Sequence, residues 1–60
     1  MLSKKQIADT ITYLHLEGGF ATKLQAAWYE ADSANKERIE AAFAGLLETT
    51  YRKWIAEMSV

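Results

Sequence analysis

Ala34–Glu57 reads ANKERIEAAFAGLLETTYRKWIAE, and the fold turns on whether this stretch is one helix. Ile39, Phe43, Leu46, Leu47, Thr50, Trp54 and Met58 recur at spacings of three and four, which places them on one helical face. Tyr51 and Ile55 broaden that side. Unbroken, the stretch is about 24 residues, or roughly 36 Å at 1.5 Å per residue. Gly45 interrupts it, and a glycine inside a helix costs roughly 0.8–1 kcal/mol relative to alanine. The glycine marks a kink, a close helix crossing or a break into two shorter helices.

Working outward, Asp32 or Ser33 is the N-cap of this helix, because short polar side chains accept its free backbone N–H groups. Glu37 and Glu40 fall near its positive end. A second helix is expected over Phe20–Ala31, with Phe20, Leu24, Ala27, Trp28 and Ala31 on its stripe and Tyr29 off it. The first helix is expected over Lys4–Glu17. Ser3 with Gln6 forms its capping box, Ile7, Ile11 and Leu14 its apolar face, and Tyr13 and Leu16 lie beside that face. The Gly18-Gly19 pair ends it, since glycine accepts the left-handed conformation of a C-terminal cap. Trp28 faces Ile39 or Phe43 across the Asp32-Ser33 turn. The expected architecture is all-α, one small domain over residues 1–60. It is a three-helix module built from a helical hairpin and a long C-terminal helix, with a kink near Gly45 as one option.

Composition narrows the function classes. The chain has 60 residues, no cysteine and no proline. Disulfides are the usual support for a domain this small, so good helix packing or self-association must replace them. Seven basic and eight acidic residues leave a formal net charge of −1, with no electrostatic reason to expect nucleic acid or an anionic membrane as partner. No stretch approaches the roughly 20 apolar residues that span a bilayer. The first five residues carry two lysines without a following apolar run, so no signal peptide is read there and the cytoplasm is the expected location.

No constellation of reactive residues stands out. His15 is the single histidine, and helical metal sites need convergent ligands at i and i+3 or i+4. Ser3, Ser33 and Ser59 sit at helix or chain ends rather than on a strand-to-helix elbow. Glu37 and Glu40 are one turn apart, and a solvated face explains them. Gly18-Gly19 lacks both the preceding strand and the following Lys-Ser/Thr of a phosphate loop. No catalytic, metal or cofactor residue is assigned. A helix-turn-helix regulator is the alternative function, but Lys23 and Gln25 give way to Glu30 and Asp32, and Lys36 and Arg38 alternate with Glu37 and Glu40.

The aromatic residues are the most informative group. Phe20, Trp28, Phe43 and Trp54 read as core, with cover thinnest over Trp54 far along the long helix. Tyr29, Leu47, Tyr51, Trp54, Ile55 and Met58 are the candidate interface, since Tyr, Trp and Met are enriched at such surfaces. A second copy is expected to cover this patch, giving a homodimer of C2 type; the alternative is that the first helix lies along it and completes a monomeric bundle.

Ala26–Phe43, AAWYEADSANKERIEAAF, resembles a pattern found in small uncharacterised proteins of bacteriophages and prophages. The matching residues are Trp28, Tyr29, Asp32, Asn35, Arg38, Ile39 and Phe43. In that pattern a proline often follows the Phe, whereas Ala44 and Gly45 follow here. The resemblance implies a phage origin and work inside a bacterial cell. The expected function is a non-enzymatic accessory or interaction protein that self-associates, binds a host or phage protein, or does both.

Overall fold

The computed structural model describes residues 2–58. Helix α1 spans Lys4–Ile11, a 3₁₀ turn Leu14–Glu17, α2 Gly19–Glu30, α3 Ser33–Ala42 and α4 Ala44–Trp54. Helix accounts for 79% of the structure, far above the one-third typical of globular proteins, so the class is all-α. Among the described residues the α-helices number four rather than the three expected.

Helix α1 opens on the capping box. Ser3 Oγ accepts the Gln6 N–H at 3.1 Å, and Gln6 Oε1 accepts the Ser3 N–H at 2.8 Å. The helix stops at Ile11, not at Glu17. Thr10, Ile11 and Thr12 are three β-branched residues in a row, which crowd the helical turn. The Thr12 hydroxyl donates to the Asp9 carbonyl at 2.6 Å, and the Gln25 amide takes the Ile11 carbonyl at 2.7 Å. Helix continuation therefore has competitors on both sides. After the 3₁₀ turn, Gly18 adopts φ 110° and ψ −174°. This is not the left-handed cap expected but an extended positive-φ conformation that is essentially reserved for glycine.

Asp32 caps α3 by accepting the Asn35 N–H at 2.8 Å, as its position after Ala31 predicts. The long C-terminal helix does not form. Phe43, at φ −114° and ψ 28°, ends α3 and starts α4. The break falls there without a proline, and one residue before Ala44 and Gly45. A Cβ placed on Gly45 would meet nothing within 4 Å, so the glycine marks neither the break nor a close crossing. The longest extent of the molecule is 31 Å, shorter than the roughly 36 Å of an unbroken helix.

Redirected at Phe43, α4 packs along α1, and α3 stays beside α2. Ile11, Leu14, Ala21, Leu24 and Leu47 form the buried core, with Leu2, Ile7, Trp28, Ile39, Phe43 and Leu46 packed against it. Thr10 and Thr50 are fully buried, and their hydroxyls return to the carbonyls of Gln6 and Leu46 at 2.6 and 2.8 Å. Those bonds remove the cost of an unpaired buried hydroxyl. Gln6 also donates to the Tyr51 hydroxyl at 3.1 Å, tying α1 to α4. Cover for the apolar side of α4 thus comes from α1, which lies along it.

Candidate functional site

The six residues expected to form an interface separate into three groups. Leu47 and Ile55 are 2% and 7% exposed, so they belong to the core. Tyr51 and Trp54 are half-buried and engaged within the chain, Tyr51 by Gln6 and Trp54 by Glu17. Tyr29 and Met58 are exposed. The continuous C-terminal patch does not exist, because α1 and the turn that follows it close over most of it.

A different surface stands in its place. Phe20, read as core, is 64% exposed, and its ring lies 5.6 Å from that of Phe43 at 54°. Leu16 is exposed as well. The register of α2 explains the error. Phe20 and Ala21 lie four and three residues before Leu24, so either fits the helical period, and the structure buries Ala21. Ala27 is likewise exposed.

Two indole N–H groups donate to carboxylates in similar ways. Trp28 Nε1 donates to Glu40 Oε2 at 2.9 Å, and Trp54 Nε1 donates to Glu17 Oε2 at 2.8 Å. Lys36 lies over the Trp28 ring at 4.5 Å and Lys53 over the Trp54 ring at 5.5 Å. The Trp54 hydrogen bond, helped by the Lys53 ammonium at 3.4 Å, holds the Glu17 carboxyl below its ordinary value against the opposing effect of burial.

Between α1 and the α3–α4 pair lies an open groove of about 450 Å³. Leu2, Ile7, Ala41, Ala44 and Leu47 make its apolar surface, and Lys4, Glu37, Glu40 and Glu48 its charged edge. Sequence reasoning missed this site, although Glu37, Ala41, Ala44 and Glu48 already share a helical spacing of three and four. Lys4 Nζ sits 3.5 Å from Glu37 and 3.4 Å from Glu40. The negative charge of Glu40, then its hydrogen bond, raises the Lys4 pKa. Glu40 belongs to no solvated face, since its side chain is 12% exposed.

His15 is exposed, with Nδ1 3.3 Å from the Gln25 amide. Gln25 is turned inward and donates to the Ile11 carbonyl. Ser3 is a cap, Ser33 opens α3, and Ser59 lies outside the described residues. Among the described residues no group of three His, Cys, Asp or Glu could hold a metal ion. None of their helices is long and apolar enough to cross a membrane. The described surface offers the exposed Phe20 ring resting on half-buried Phe43, and an apolar groove with a charged edge. Compared with known proteins, the chain matches no protein-family model, no curated protein and no solved structure.

Proposed function

We propose that the chain is a non-enzymatic interaction protein of bacteriophage or prophage type, acting inside a bacterial cell, that self-associates and binds a host or phage protein. The observation that carries this reading is the Phe20 ring, 64% exposed and resting on Phe43 at the α3–α4 break. A large aromatic side chain left in water at a supported position is the usual anchor of a protein contact, because its burial is worth most there. The lack of disulfide support favours a second copy as one of its partners. The resemblance of Ala26–Phe43 to small phage proteins supplies the cellular setting.

Sedimentation equilibrium over a micromolar range tests the proposal. The parent chain is expected to rise towards twice its 6.8 kDa mass, and Phe20→Glu to stay at one chain with unchanged circular dichroism. A parent that remains monomeric at every concentration would remove self-association from the proposal.

A further inference from the structure

We infer that the exposed face of α2 pairs with α2 of a second copy, antiparallel about a two-fold axis, with Lys23 against the partner's Glu30. The inference rests on the self-association proposed above and names the surface that carries it. Phe20, Lys23, Ala26, Ala27 and Glu30 are all exposed. They recur at spacings of three and four on the side of α2 turned away from buried Ala21 and Leu24. Lys23 and Glu30 are the two charged residues of this helix. Among the described residues neither takes part in an ion pair or a side-chain hydrogen bond.

Charge selects a second copy and fixes its direction. Lys23 and Glu30 lie about 10 Å apart along one face. A parallel copy would set lysine on lysine and glutamate on glutamate, whereas an antiparallel copy closes two opposite-charge pairs. The helix dipole favours the same arrangement. Glu30 is the last residue of α2, at its negative end, and no basic residue stands in the last turn to offset it. An antiparallel copy brings Lys23 and the positive half of its own helix to that end. Between the two charges lie Ala26 and Ala27, whose small side chains let two helices approach to about 8 Å, the short end of the usual range. In this register the axis passes between Ala26 and Ala27, and Phe20, 64% exposed, falls on the partner's turn at 31–34. Each ion pair is a surface contact and weak on its own, so the pairs set direction and register while Phe20 and the alanines supply the burial.

Charge reversal on the whole chain tests the pairing. Lys23→Glu and Glu30→Lys are each expected to weaken self-association about tenfold in sedimentation, because two attractive pairs per dimer become repulsive. Mixed in equal amounts, the two variants are expected to associate as tightly as the parent, since each again meets opposite charge. The chain has no cysteine, so a single introduced one reports distance. Ala26→Cys, beside the axis, is expected to give a disulfide-linked dimer on mild oxidation. Thr22→Cys, also exposed on α2 but roughly 13 Å from its copy along the helix, is not. A parent that stays at one chain throughout would overturn the inference together with self-association. Three other results would overturn the α2 pairing alone, in a dimer that Phe20→Glu still dissociates: charge variants as tight as the parent, mixed variants no tighter than either one, or linkage through Thr22→Cys instead of Ala26→Cys.

Discussion

Trp28 and Trp54 make nearly the same contacts in two regions of the molecule. Each donates its indole N–H to a glutamate whose side chain is 12% exposed, and each has a lysine over its ring. Their places in the chain differ. Trp28 and Glu40 are 12 residues apart and tie α2 to α3, across the Asp32 turn. Trp54 and Glu17 are 37 residues apart and tie the 3₁₀ turn to the last residue of α4. Helix α3 buries no residue, whereas α4 buries Leu47 and Thr50, and Ile55 follows directly. The same chemistry therefore braces a ring packed against the core in one region, Trp28, and closes the long loop from the 3₁₀ turn to the end of α4 in the other. A contact's value depends on the loop it closes and the apolar surface it shields, as much as on its own geometry.

The largest expected effect is a direct contest between the two. Trp28→Ala should cost about 3 kcal/mol, the lower end for an aromatic truncation because the ring is half-buried against the core, and Trp54→Ala roughly half as much. Urea unfolding of both variants measures this, and equal losses would break the comparison. Next is the turn that carries Glu17. Gly18→Ala meets no steric obstacle but forces a side chain into φ 110°, which should cost about 1–3 kcal/mol in the same measurement. A neutral result would show that the turn relaxes and that the Trp54 contact does not rely on it.

Smaller and opposite in sign is Gly45→Ala in the first turn of α4. The site is open and the backbone helical, so a gain of about 0.5–1 kcal/mol is expected, read as a raised melting temperature. A loss would restore the glycine as a structural requirement of the break. The smallest effect is on pH dependence, and it separates the two regions again. Glu17 has a folded pKa below its ordinary 4.5, so its contribution is complete above that value and fades as pH falls through the lower folded one. Lys4 beside Glu40 has a folded pKa above 10.5, so its contribution is complete below 10.5 and fades as pH rises through the folded one. Melting curves of Glu17→Gln should lose part of the acid sensitivity, and those of Lys4→Met part of the alkaline sensitivity. Unaltered profiles would show that neither glutamate site responds to pH.

Residues with local partners were legible. Ser3 with Gln6 and Asp32 with Asn35 cap their helices as spacing indicates, because both partners lie within one turn. The hairpin of α2 and α3 was legible as well, with Trp28 reaching α3 through Glu40 rather than through Ile39 or Phe43 alone. Thr10 was readable as core, three residues after Ile7, yet its polarity hid it until the Gln6 carbonyl was seen to satisfy it. The groove was not legible, because its two walls come from the two ends of the chain and neither wall alone is concave.

By itself the sequence determined the helical class, the caps at Ser3 and Asp32, and a break in the helical path at the Gly18-Gly19 pair, since each follows from propensity or from hydrogen bonds a few residues long. Tertiary structure decided the rest. It chose Ala21 over Phe20 for the interior, ended α1 at Ile11 where Gln25 offered the carbonyl a partner, and broke the long helix at Phe43. The helical period tolerates either choice at each of these points. The physical reason is burial: a straight helix of about 36 Å outruns the cover of its neighbours, whereas bending at Phe43 lays α4 on α1 and removes Leu47 and Ile55 from water.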